Sequence, residues 1–169
     1  MSRQNSLTIT HQAITTLSEE ARQNRRLRKN LNLHAQLDDP VQRMVNAMEP
    51  GTYVRPHRHA RDNGWELMMC LKGSFSILIF DDVGRVLERL DLNADTGVCA
   101  VEIPAYSWHA VVSHQPGTVM FEVKPGPYSP IDDKDFAGWA PAENQPECSQ
   151  TMGWYAVAKN GDIPPIWTS

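Results

Sequence analysis

Cysteine is scarce in this sequence, and long apolar runs are missing. The three cysteines, Cys70, Cys99 and Cys148, are an odd set with no CxxC spacing. That speaks against a disulfide framework and leaves buried reduced thiols as the expectation, since Cys70 and Cys99 lie within apolar runs. No stretch approaches the ~20 apolar residues of a membrane span. The start, MSRQNSLTITHQAITTLSEEA, lacks the basic-then-apolar plan of a signal peptide. The expectation is a cytoplasmic protein with no membrane partner. Charge of either sign is not in large excess: 16 Lys+Arg against 20 Asp+Glu leave a formal net charge of −4, which offers no overall attraction to nucleic acid. Internal repeats and low-complexity tracts are absent. The 169 residues suffice for one sizeable core, so the expected plan is a single domain with terminal additions.

Helix signals are few. Thr16-Leu17-Ser18-Glu19 fits a capping box, predicting a short helix from about Leu17 to Arg25. From Arg26 strict alternation takes over: Arg26, Arg28, Asn30, Asn32 and His34 share one side, and Leu27, Lys29, Leu31 and Leu33 the other. This predicts a strand whose polar face is either solvated at a sheet edge or turned to a polar cavity. Beyond Asp38-Asp39-Pro40, eight short strands follow with turn residues between them: QRMVNAME, TYVRPHRH, ELMMCLKG, SFSILIF, RVLERLDL, VCAVEIP, WHAVVSH and TVMFEVK. Eight strands with no intervening helix predict an all-β sandwich or barrel over residues 26–128, after an N-terminal helical segment, 1–25. Residues 129–169, rich in proline, aspartate and aromatics, read as an irregular extension packed on the barrel, with MGWYAVAK as a last strand or short helix.

The chemistry concentrates in YVRPHRHARDNGWE. In a strand Tyr53, Arg55, His57 and His59 project to one side, so two imidazoles at i and i+2 can converge on one ion. Glu66 opens the next strand, whose antiparallel pairing would return its carboxylate to the histidines. His109, at the start of WHAVVSH, is a fourth candidate. Three imidazoles and a carboxylate suit iron(II), zinc, nickel, manganese or cobalt without choosing among them. His11 and His114 read as structural or exposed. His34, ending the polar face, is a candidate pocket residue.

The spacing resembles the two cupin motifs. The first, glycine, five residues, His-x-His, three or four residues, glutamate, six residues, glycine, corresponds to Gly51, His57, His59, Glu66 and Gly73, departing only in the six-residue loop before Glu66. The second corresponds in part to Gly97, Pro104, Tyr106, His109 and Ser113, where tyrosine stands in place of glycine and serine in place of asparagine. The segments RRLRKNLNLH, DPVQRMVNAMEPGTYVRPHRH, IPAYSWHAVVSHQPGTVMFEVKPGPYSP and KDFAGWAPAE resemble the WbuC family of cupin-fold metalloproteins. The resemblance implies a small jelly-roll β-barrel with one divalent metal, zinc, iron, nickel or manganese, held by His57, His59, Glu66 and His109. It also implies a setting in bacterial surface polysaccharide or O-antigen gene clusters.

Around that centre Arg55 and Lys124 are candidates to hold a substrate carboxylate or phosphate, Arg55 through its bidentate fork. Glu122 and Lys124 can equally be an internal ion pair, since a buried charge must be paired. Tyr53, Tyr106 and Trp108 are candidates for an aromatic wall against a sugar ring, and Tyr53, Tyr106 or Glu122 for moving a proton. The leading expectation is metal-assisted isomerase or lyase chemistry on a sugar, nucleotide sugar or related small polar molecule. An iron(II) dioxygenase and a non-catalytic sugar- or metal-binding module remain the alternatives. A homodimer is expected through barrel edges.

Overall fold

The computed structural model describes residues 6–128 and 135–166. It is mostly β: α1 (His11–Gln23) precedes β1 (Arg28–Asn32), β2 (Val41–Met48), β3 (His57–Arg58), β4 (Glu66–Lys72), β5 (Ser74–Phe80), β6 (Val86–Asn93), β7 (Ala100–Ile103), β8 (Trp108–Ser113), β9 (Thr118–Pro125) and β10 (Asp135–Phe136), and α2 (Cys148–Val157) follows. Two five-stranded antiparallel sheets result, in the orders β1-β2-β9-β4-β7 and β10-β3-β8-β5-β6. They face one another as an open jelly roll; among the described residues no strand ladder closes them into a barrel. No helix among these residues is long and apolar enough to cross a membrane.

Alternation within strands decides what lies between the sheets. On β5, Phe75 and Ile77 enter the central cluster with Met48, Met68, Leu92, Ile103, Val111 and Met120, while Leu78 and Phe80 point the other way. Both outer faces are therefore apolar in part, and each is covered by a helix. Leu17 and Ala21 of α1 bury Val45, Ala47 and Val119, and Tyr155 of α2 packs with Leu78, Phe80, Ala110 and Val112. Full burial of each such side chain contributes roughly 1.5–3 kcal/mol, which gives both terminal helices a reason to dock.

Several expectations shift at the element level. The N-terminal helix starts earlier than its capping box predicts: Thr10 is the N-cap, its hydroxyl accepting from the Ala13 N–H, and Thr16 lies inside the helix. TYVRPHRH is strand only at His57–Arg58, because Pro56 lacks an N–H to donate to a ladder. The C-terminal extension is more regular than expected, with Phe136 pairing His57 and MGWYAV, the first six residues of MGWYAVAK, inside α2. Cys99 is exposed, whereas Cys70 is buried as expected. Only 100–103 form β7, so Cys99 sits just outside the strand.

Candidate metal centre

Each candidate ligand comes from a different part of the frame. His57 lies on β3 opposite His109 on β8, and His59 follows β3 by one residue. Glu66 opens β4, which pairs with β7 and β9 rather than with β3. The carboxylate thus meets the imidazoles across the gap between the sheets, not beside them in one sheet. The reason is the six-residue loop ARDNGW, long enough to cross from one sheet to the other. Its turn is tight: the Gly64 N–H donates to the Arg61 carbonyl, and a Cβ at Gly64 would lie 2.6 Å from the His59 oxygen.

The four ligand atoms lie within 4.8 Å of one another and all four residues are buried. His59 Nε2 stands 2.8 Å from Glu66 Oε1, and His109 Nε2 stands 2.9 Å from Glu66 Oε2. His57 Nδ1 meets the Arg55 carbonyl at 3.0 Å, and His109 Nδ1 meets the Ser107 carbonyl at 2.9 Å. A carbonyl only accepts, so each Nδ1 carries the proton and each Nε2 presents a lone pair, the arrangement that orients metal-binding histidines. A lone pair facing a carboxylate oxygen is stabilised by a cation between them, a shared proton or a metal ion. Two donors bonded at about 2.1 Å and at right angles to each other would be about 3 Å apart, so the separations found here fit a shared divalent ion.

The charges agree with that fit. Burial pushes the Glu66 carboxyl upward, but the neighbouring His109 and His59 rings and the Lys124 ammonium outweigh it and hold the group well below the usual carboxylate range. Lys124 Nζ donates to Glu66 Oε1 at 3.3 Å and lies 3.4 Å from Glu122 Oε1. The Asn46 amide donates to Glu122 Oε2 at 2.8 Å. One buried ammonium therefore bridges a metal ligand and a second carboxylate. Both inner strand faces account for this: Met120, Glu122 and Lys124 alternate inward on β9, as Glu66 and Met68 do on β4.

A cavity of about 300 Å³ opens beside the centre, lined by His57, Glu66, Met68, Met120 and Glu122 and by the polar side of β1, including Arg28 and Asn30. Part of the polar face, Arg26, Arg28 and Asn30, thus lines a cavity, while Arg26, Asn30 and Asn32 are also open to solvent. An adjoining cavity of about 220 Å³ shares His57 and Arg28 and adds Arg55, Phe136 and Glu143.

The other predicted site residues divide. Glu122 lines the main cavity and Arg55 the adjoining one. Tyr53 does not share their space: its strand alternation is broken before Pro56, its hydroxyl donates to the Pro141 carbonyl at 2.7 Å, and its ring stacks on Tyr155. Burial pushes its phenol far up, helped by Cys148. Tyr106 adopts φ 64°, the left-handed backbone that explains glycine at this point of the motif. The turn carries its side chain outward, where the hydroxyl donates to Asp62 at 2.8 Å. Trp108 alternates with His109 and so faces outside, donating to Asp82 at 2.9 Å under the Arg58 guanidinium. His34 falls in the bend beyond β1, its Nδ1 3.0 Å from the Arg43 backbone, and is not among the lining residues. Sequence reasoning missed Asn46 and Glu143. Alternation with Met48 could have found the first; Glu143 lies in a segment with no local pattern.

The family model described as "Domain of unknown function (DUF6016)" matches residues 9–92. No curated protein matches the sequence. CapF, solved with the inhibitor 3-isopropenyl-tropolone, superposes with a TM-score of 0.53 at 19% identity, over 63% of this chain and 31% of that one. A cupin superfamily protein from Desulfitobacterium hafniense gives 0.45 at 19% identity, over 58% of this chain and 76% of that one. KdgF from Halomonas sp. gives 0.46 at 16% identity, over 59% and 81%. The two antiparallel sheets and their strand order define the class: this is an all-β jelly roll of the cupin type, as the sequence led one to expect. Its buried His57, His59, Glu66 and His109 form a candidate metal site within that fold.

Proposed function

We propose that this protein binds a small polar, sugar-like molecule beside a divalent metal ion and carries out isomerase or lyase chemistry on it, in bacterial surface polysaccharide biosynthesis as the WbuC resemblance implies. The observation that carries the reading is the cavity that brings His57 and Glu66 of the ligand set and the carboxylate of Glu122 to one space. An ion held by His57, His59, Glu66 and His109 would act as a Lewis acid toward a carbonyl or hydroxyl oxygen. Glu122, held at one oxygen by Asn46 and at the other by Lys124, would take the proton from a ligand carbon and return it to the neighbouring carbon in an isomerisation, or to the departing hydroxyl in an elimination. Lys124 positions Glu66 and Glu122 together, and Met68, Val111 and Met120 form an apolar wall that limits water. In this reading Tyr53, Tyr106, Trp108 and His34 support the frame rather than touch the ligand.

The test is deuterium uptake from heavy water into candidate nucleotide sugars by the metal-loaded protein. Uptake is expected to need the metal and to fall at least about 100-fold in Glu122→Gln, while bound metal stays at its original level. Unchanged uptake in that variant removes Glu122 from the mechanism. Oxygen consumption with iron(II) and none with zinc replaces the reading with a dioxygenase.

A further inference from the structure

The polar rim of the paired cavities carries more positive charge than its surroundings answer. Arg26, Arg28 and Arg55 all line the smaller cavity, and Glu143 is the one carboxylate among its lining residues. Arg26 grips Glu143 with both ends of its fork, at 2.6 and 2.8 Å, and Arg28 reaches the same oxygen at 3.0 Å. Arg55 has no carboxylate among its described contacts: its Nη2 donates to the Ala137 carbonyl at 2.8 Å, its guanidinium lies 5.5 Å from the Phe136 ring centre, and its Nε has no hydrogen-bond partner. Two guanidinium groups thus share one carboxylate and a third beside them contacts none, in a chain whose overall charge is −4. Burial pulls the Arg28 pKa down, Arg26 adds to this, and Glu143 only partly offsets it. His57 lines both cavities, so an anion held here would belong to a molecule whose other end reaches the metal centre.

We infer that Arg28 and Arg55 form an anion subsite for a carboxylate or phosphate group of the ligand, so that the substrate is an acidic sugar or a sugar phosphate rather than a neutral sugar. Glu143 is the internal stand-in for that group, and its carboxylate competes with the ligand for Arg26 and Arg28. The inference rests on the preceding section for the sugar-like ligand and for the location of its reacting end, but the subsite needs no metal. Guanidinium forks match the paired oxygens of carboxylate and phosphate, and partial burial strengthens such bonds.

Calorimetric titration of the full chain with glucuronate, glucose 6-phosphate and glucose, in chelator-treated and in zinc-loaded protein, tests this. At least one of the two anionic sugars is expected to bind about tenfold or more tightly than glucose in both forms; the one preferred identifies the group as carboxylate or phosphate. Arg55→Ala should lose the preference. Should that variant fail to fold, Glu143→Gln serves alone, because it is expected to tighten anion binding severalfold, whereas a merely structural Glu143 would leave binding unchanged or weaken it. Equal affinity for all three sugars, or no gain in Glu143→Gln, overturns the subsite whatever the metal does. An intact anion preference in a protein that takes up none of zinc, iron(II), nickel and manganese overturns the metal-centre reading and leaves the subsite standing.

Discussion

At the scale of single residues the centre depends on Glu66, which touches two histidines and a lysine in one buried space. His57→Ala removes a ligand whose Nδ1 is already held by a carbonyl; metal analysis should show about one ion per chain in the parent protein and almost none in the variant. Tyr106→Phe, which alters only an outward contact with Asp62, should leave metal content unchanged. Lys124 is 4% exposed between two carboxylates. Lys124→Met leaves those charges without their buried partner, and denaturant titration of metal-free protein should show a loss of about 3–5 kcal/mol. The histidines and Glu66 were legible because the i, i+2 spacing of His57 and His59 is local and motif spacing singles out Glu66 and His109, although Glu66 reaches them from the facing sheet. Tyr53 was misplaced by the same rule, since alternation holds only where there is a strand, and the chain ahead of Pro56 is not one.

Elements show a similar division. The position of α1 is decided by Thr10, whose hydroxyl accepts the Ala13 N–H, while the better sequence signal, Thr16, lies exposed within the helix. Thr10→Ala should therefore cost about 1 kcal/mol and Thr16→Ala clearly less, as read from thermal or denaturant midpoints. The strands β4, β5, β8 and β9 were legible from alternation and turn residues. Gly73 between β4 and β5 shows why the turns matter: it holds φ 75°, and a Cβ there would meet the Thr118 hydroxyl at 2.6 Å. What α2 packs against was not legible, because its partners come from β5 and β8, far away in sequence. Phe80 lies among Trp139, Trp154 and Tyr155; Phe80→Ala should lower stability by about 3–5 kcal/mol and loosen α2, seen as faster amide exchange across 148–157.

On the scale of the whole molecule, the two ends of the described chain are tied together by charge. Arg26 and Arg28, flanking and opening β1, hold Glu143 from the segment before α2. Burial pushes the Glu143 carboxyl up, but hydrogen bonds and charge from Arg26 and Arg28 win and lower it from its ordinary value near 4.5. A carboxyl lowered in the folded state stabilises fully above its unfolded value and loses that contribution as pH falls through the folded one. Thermal melts of the parent protein and Glu143→Gln should therefore differ at neutral pH, by a few tenths to about 1 kcal/mol for so open a cluster, and converge as pH falls below about 4.5. The sequence by itself determined the all-β class, most strands and the candidate ligand set, because alternation and motif spacing are local properties of the chain. Only the tertiary structure decided that Glu66 meets its histidines from the opposite sheet, that Arg26 and Arg28 line a cavity, and that Glu143 reaches them there. Those pairings join residues as much as 117 positions apart, and no local pattern carries information over that distance.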